Sequence, residues 1–276
     1  MGLRIETIKK QSQFWITDLY KWNQKIDFQF TVGPYVLKVA KTKEEVLECF
    51  KLRHEVFYEE LAGVQKRTRL DYDIYDNHCD HLVIIDQPTN QVIGTYRLNC
   101  SKFGNELYTA SEFAIENWLN EHDGIILELG RACIHQNHRR GIVISLLWKG
   151  IAEYMRLTGA TTLIGCSSIK YVNSKTAAMI FKFFEESKLL APILVRPHSD
   201  YAIPDFTFWQ LCYNEGLGFN QFNETEQLIP SLFKSYLKAG AKVLSYPAYD
   251  KDMKCIDFVT VLNWSDLDQK LVKKFG

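Results

Sequence analysis

The chain has 276 residues, 46% of them apolar, and its 33 Lys and Arg balance its 33 Asp and Glu. That length buries a sizeable core and allows one large domain or two small ones. The even charge excludes a strongly basic nucleic-acid binder and an acidic tail, and no stretch approaches the about 18 consecutive apolar residues of a membrane-spanning helix.

Residues 1–33 read as an amphipathic extension. Leu3, Ile8, Trp15, Leu19 and Trp22 recur at near-helical spacing among Lys9, Lys10, Lys21 and Lys25. Such a helix either packs its aromatics on the core or lies on an anionic membrane surface. Tyr35–Ala40 alternates as a strand. Thr42 to Glu45 spells a capping box for a helix carrying Val46, Phe50, Val56 and Phe57 and ended by Gly63. A polar loop with Asp71, Asp73 and Asp76 follows. His81–Asp86 and Val92–Leu98 form a hairpin around the turn Gln87-Pro-Thr-Asn90, and Ile125–Ile134 is a third long strand.

The strand Ile125–Ile134 runs into His138-Arg139-Arg140-Gly141, and a helix follows at once to Leu157, apolar at 143, 146, 147, 151 and 154 and stopped by Gly159. A glycine at such a junction lets backbone N–H groups face a phosphate. Thr162–Cys166 is a short buried strand, and Asn173–Ser187 is a helix. Residues 191–227 show no period. A helix from Pro230 to Ala239 leads to the closing strands Ala241–Tyr246 and Cys255–Leu262. The order predicts a mixed α/β (α+β) domain over 34–276, with an insertion at about 167–227. Seven scattered cysteines without a Cys-x-x-Cys pair fit a reducing cytoplasm better than a disulfide framework. His135-x-x-His138 has no further ligands at metal spacing, so no metal is expected.

Taken in order, several motifs resemble one family. They are Leu52-Arg53-His54-Glu55-Val56-Phe57, Asp73-x-x-Asp76 with Cys79-Asp80-His81-Leu82, and Val92-Ile-Gly-Thr-Tyr-Arg97-Leu98. They continue with Ser111-Glu112-Phe113, Glu128-Leu-Gly-Arg131, Arg140-Gly141, Leu147-Trp148-Lys149-Gly150 and Tyr236 to Val243. Over residues 35–263 the chain resembles the GNAT superfamily, and within it the bacterial ornithine–acyl carrier protein N-acyltransferases that make lyso-ornithine lipid. More distantly it is similar to acyl-homoserine-lactone synthases.

The resemblance implies a GNAT fold, a mixed and mainly antiparallel sheet flanked by helices. It also implies an N-acyltransferase that moves a fatty or 3-hydroxyfatty acyl group from acyl carrier protein to the α-amine of an amino acid, ornithine first. Glycine, lysine or homoserine as acceptor, and a non-catalytic module that only binds the carrier, are the rival readings. GNAT cofactor loops read Arg/Gln-x-x-Gly-x-Gly/Ala, whereas this chain has His138-Arg-Arg-Gly141-Ile-Val143. The missing second small residue favours the single phosphodiester of a carrier-borne phosphopantetheine over acyl-CoA. No bound cofactor and no nucleic acid are expected.

The chemistry then assigns expected roles. An α-amine with pKa near 8 is mostly protonated at neutral pH, so a nearby carboxylate must take its proton. Glu128 is the candidate base beside Arg131, with a structural ion pair to Arg131 or Arg97 as the alternative. Asp73 and Asp76, with Arg53, would hold a cationic acceptor, and Arg97 and Arg131 its carboxylate. Backbone donors near Cys133 and Ile134 would meet the oxyanion, and Arg139, Arg140 and Gly141 the donor phosphate. Residues three apart on a regular strand face opposite ways, so a bulge at Leu129–Gly130 is expected to bring Glu128 and Arg131 to one side. The expected place is the bacterial cytoplasm, with peripheral contact at the inner face of the membrane.

Overall fold

A computed structural model describes residues 22–104, 106–139, 141–217 and 222–267. The described residues divide into two compact units, those of 22–104 with 129–160, and those of 106–128 with 161–267. The residue 167–227 segment lies within the second. Residues 1–21, which carry most of the amphipathic extension, lie outside the described residues. The part that is described holds no helix. Trp22 is buried, its indole N–H donating to the Cys79 carbonyl at 2.8 Å.

In the first unit, β1 (Gln29–Val32), β2 (Tyr35–Val39), β3 (Asp80–Asp86) and β4 (Gln91–Cys100) form an antiparallel sheet in chain order. Tyr35 pairs with Asp86 and Leu82 with Tyr96. Helix α1 (Lys43–His54) starts where the Thr42 hydroxyl accepts from the Glu45 N–H at 3.3 Å. Instead of running to Gly63 as an α-helix, it passes into a π-helical turn, Glu55–Glu60. Strand β5 (Ile125–Ile134) begins in the second unit and ends in the first. Two short helical segments precede it, α2 (Thr109–Glu112) and α3 (Glu116–Glu121).

Helix α4 (Ile142–Thr158) buries the apolar stripe its period predicts, Val143, Leu146, Leu147, Ile151 and Tyr154. It lies close on the sheet. A Cβ at Gly150 would sit 2.7 Å from a Leu82 methyl and 2.9 Å from one of Leu37. Gly159, at φ 77°, ends the helix in the left-handed conformation that glycine tolerates.

In the second unit, β6 (Ala160–Lys170) runs well past the expected Cys166 and pairs antiparallel with β10 (Cys255–Asn263). The order continues β10-β8-β7, with β8 (Lys242–Ser245) parallel to β7 (Leu190–Val195), and β9 (Ala248–Asp250) beside β10. Helix α5 (Ser174–Glu186) is capped by the Asn173 side chain. The aperiodic segment contains β7 and two helices, α6 (Phe206–Asn214) and α7 (Phe222–Leu228), and α8 spans Ser231–Lys238. Phe181, Phe184, Phe233 and Phe258 centre this core. Both units are mixed α/β with mainly antiparallel pairing. Among the described residues no helix is long and apolar enough to cross a membrane.

Candidate functional site

The acidic loop of the first unit folds inward. Asp73 caps a single 3₁₀ turn, Ile74–Asn77, by accepting from the Tyr75 N–H at 2.9 Å, while its own N–H donates to Asp76 at 2.8 Å. This reciprocal capping fixes both carboxylates. Three arginines from three elements meet them. Arg53 of α1 donates to Asp71 at 2.8 Å and to both oxygens of Asp76 at 2.8 and 3.0 Å. Arg97 of β4 reaches Asp73 at 2.6 Å and Asp76 at 3.4 Å. Arg131 of β5 donates to Asp73 at 2.9 Å and lies 3.6 Å from Asp71.

Five of these six residues were named from the sequence as site residues, and the structure brings all five together with Asp71. Arg53, Asp71, Asp76 and Arg97 are buried, whereas the side chains of Asp73 and Arg131 remain 19% and 20% exposed. Burial alone would push the Asp73 carboxyl up. The guanidinium groups of Arg97 and Arg131 outweigh it and hold the group well below the usual carboxylate range. Arg53 and Arg131 lower Asp71 against the same penalty, and the aspartates raise Arg53 and Arg97. Asp71 and Asp73 are therefore held as carboxylates, and Arg53 and Arg97 as guanidinium ions, at neutral pH.

The unusual backbone in β5 falls one residue later than expected. Arg131 takes φ 52°, while Gly130 packs its open face on the Arg97 guanidinium, 3.5 Å from an added Cβ. A non-glycine residue in that region costs roughly 1 kcal/mol, and the paired aspartates supply a compensating attraction. Gly130 itself keeps an ordinary φ, and an added Cβ there would only touch the Arg97 guanidinium at van der Waals distance.

Glu128 belongs to the second unit and has its own network. Its Oε1 accepts from the Thr109 N–H and hydroxyl, both at 2.7 Å, and its Oε2 from the Tyr108 N–H at 2.8 Å. These are orphan donors at the start of α2, so the carboxylate caps that turn. Glu112, buried and accepting from the Tyr108 hydroxyl at 2.6 Å, is a second carboxylate that sequence reasoning left without a role.

The expected donor residues sit at the end of β5 in the first unit. Cys133 is buried against Leu52 and Val56, and burial pushes its thiol far up, so it is inert packing. The Ile134 carbonyl accepts from Arg139 at 2.9 Å. Arg139 is held in a two-pronged pair by Glu60 at 2.5 and 2.6 Å, a partner sequence spacing could not reveal. Gly141, at φ 88°, precedes the first turn of α4. Arg140 lies outside the described residues. The rings of His135 and His138 stand 5.6 Å apart. Among the described residues, the group with metal-ligand proximity is instead Asp250, Cys255 and Asp257, with ligand atoms within 4.8 Å. Asp250 already accepts from the N–H groups of Asp252 and Met253, and Asp257 accepts from Ser168.

Residues 52–149, which carry Arg53, the acidic loop, Arg97 and Arg131, match the acetyltransferase (GNAT) domain. This segment is similar to the GNAT domain, and together with the relatives below it supports an amide-forming acyltransferase. Along most of its length it is similar to L-ornithine N(alpha)-acyltransferases. That of Agrobacterium fabrum is 27% identical over 89% of this chain and 86% of its own. That of Rhizobium meliloti is 28% identical over 87% and 83%. Among solved structures, the AHL synthase LasI aligns at a TM-score of 0.44 and 14% identity over 83% of this chain and 89% of that one, a likeness too slight to bear on chemistry.

Proposed function

We propose that the protein transfers a fatty or 3-hydroxyfatty acyl group from acyl carrier protein to the α-amine of ornithine. One observation carries this reading: the similarity to enzymes of that name spans nearly nine-tenths of the chain, a span long enough to take in the segment that holds the Asp–Arg cluster. In the proposed reaction the neutral amine attacks the thioester carbonyl and a tetrahedral oxyanion forms. The C–S bond then breaks, the amide remains, and the carrier leaves as a free thiol after taking up a proton.

Asp73 and Arg131 are the cluster members that keep access to solvent, so they are the proposed contacts for the acceptor's ammonium and carboxylate. Asp76, Arg53 and Arg97 hold them in place. Glu128 is the proposed base; its Oε2, which accepts from the Tyr108 N–H, has a second lone pair that can take the proton. Backbone N–H groups around Cys133 and Ile134 are the proposed oxyanion donors, and the Gly141 turn with Arg139 and Arg140 the proposed phosphate contact. The donor is a thioester on phosphopantetheine, with acyl-CoA as the alternative. The product is an amphiphile, so the proposed setting is the cytoplasm beside the membrane that receives it.

The test incubates the protein with acyl carrier proteins of several chain lengths and a panel of amino acids, following thiol release and the mass of the amide. The reading expects an N-acylornithine and stoichiometric free carrier thiol. Preference for glycine, lysine or homoserine would replace the acceptor, and thiol release from no donor would remove the activity.

A further inference from the structure

Between Arg53 and Asp71 the chain makes an excursion whose ends are drawn together by their 2.8 Å ion pair. It begins with the π-helical turn and continues as an exposed loop, residues 61–69, before re-entering the core at Asp71. The loop is held in shape. The Val64 N–H donates to the Tyr58 carbonyl at 2.9 Å, and the Lys66 N–H to His54 Nε2 at 3.0 Å. The Lys66 ammonium sits 3.7 Å over the Tyr58 ring, which stacks on His54.

Its surface combines two features. Leu61 and Val64 are 69% and 51% exposed, and Lys66, Arg67 and Arg69 follow within five residues. The arginines of the buried cluster are matched by aspartates, Arg139 by Glu60 and Arg156 by Glu153. Arg67 and Arg69, both exposed, have no carboxylate partner among the described residues. The loop itself contains no Asp or Glu, and Glu60, just before it, serves Arg139. The loop therefore presents net positive charge around an apolar pair.

We propose that loop 61–69 is the docking surface for an acidic carrier protein. Lys66, Arg67 and Arg69 meet its carboxylates, and Leu61 and Val64 meet its apolar surface. The proposal rests on the reading above, in which the acyl donor is a carrier protein. Charge complementarity selects the partner, since matched patches speed encounter and fix orientation. Position supports it too. Glu60, just before the loop, grips Arg139, which is bonded to the Ile134 carbonyl at the end of β5. A carrier seated on the loop stands beside that strand end, where its thioester arm is needed. Arg139 is a weaker candidate, because Glu60 neutralises it. A lipid surface fits less well, because two apolar side chains bury little area and each cation near an anionic leaflet contributes only about 1 kcal/mol.

The test measures thiol release by the full chain carrying Arg67→Glu with Arg69→Glu. An acyl carrier protein and the small thioester acyl-N-acetylcysteamine serve as alternative donors, at low and high salt. Lys251→Glu, an exposed charge reversal in a β9–β10 turn, is the control. The expected result is a rise of tenfold or more in KM for the carrier and a flattened salt dependence, with the small thioester and the control unchanged. An unchanged carrier KM overturns the docking surface and leaves the function intact. An equal loss with both donors overturns it as well, by showing damage to the site. Turnover by the unmodified chain of the small thioester but never of a carrier removes both the carrier reading and its surface. Lost binding to phosphatidylglycerol vesicles with an unmoved carrier KM assigns the loop to lipid.

Discussion

Asp73 and Arg131 meet at 2.9 Å, and each keeps about a fifth of its side chain open to solvent. Asp73 is ionised and already shared with Arg97, so its second oxygen and the Arg131 fork form the open edge of a buried, charge-balanced cluster. Asp73→Asn keeps an oxygen for the Tyr75 N–H and removes the charge. The expected outcome is a KM for ornithine raised by tenfold or more, with a smaller effect on kcat. Equal KM values for variant and parent, measured at saturating donor, would move the acceptor site elsewhere.

Arg53 is the cluster's internal support, because it bonds two carboxylates at once and is only 1% exposed. Arg53→Met would leave Asp71 and Asp76 buried with one guanidinium fewer. Breaking a buried pair from one side costs about 3–5 kcal/mol, since the orphaned charge stays out of water. Arg53→Lys should recover only part of this, as one ammonium cannot replace the planar fork. Urea unfolding of both variants checks the order. A loss under about 1 kcal/mol for Arg53→Met would mean water reaches the cluster.

Much of this arrangement was legible in the sequence, for identifiable reasons. The stripe of α4 is an unbroken helical period, so its start, its buried face and its stop at Gly159 could be read directly. The acidic loop and the arginines could be named, but not who pairs with whom, because Arg53 and Asp76 lie 23 residues apart and Arg131 and Asp73 58. The π-helical turn has no sequence signature separate from α-helix. The segment 191–227 hid β7 and α6 because its aromatics do not alternate or repeat. The sequence leaves Glu128 as a base or as an ion-pair partner of Arg131 or Arg97, and its bonds to Tyr108 and Thr109 could not be read because those backbone and hydroxyl donors carry no motif.

Glu128→Gln now tests two roles together. Glutamine offers one acceptor oxygen where Glu128 uses two, and its amide nitrogen would face an N–H donor. A buried donor left unmade costs about 1–3 kcal/mol. Loss of the base should also slow the chemical step by about 10²-fold. Thr109→Val separates the roles, since it removes one hydroxyl bond to Glu128 and leaves the carboxylate. The expected pattern is lower Tm for both variants and a large drop in kcat for Glu128→Gln alone. Glu128→Gln with lower Tm and parental kcat would leave Glu128 as the anchor of α2 only.

His81 gives the fold a defined response to acid. It lies fully buried beside the cluster, edge-on to Phe50 at 5.5 Å between centroids, with Nε2 3.3 Å from the Asp76 carbonyl. Burial pushes its imidazole down from 6.5 to about 4, with Asp76 opposing and Arg53 and Arg97 assisting. Between those values the unfolded chain binds a proton that the folded chain does not. Stability is therefore fully present above pH 6.5 and falls as the pH drops toward 4, by about 3 kcal/mol for this group. His78, also lowered chiefly by burial, acts in the same direction. Asp80, raised by burial, acts in the opposite one. Asp71 and Asp73, held low by the arginines, keep their contribution through this window and lose it only below their unfolded value of 3.8. His81→Phe suits the aromatic surroundings of Phe50 and Trp22 and has no proton to bind. Its unfolding free energy should vary distinctly less than the parent's between pH 7 and 4.5, as measured by urea titration at several pH values. Parallel curves for the two proteins would mean that His81 is protonated in the folded state at mildly acid pH and that the acid sensitivity arises elsewhere.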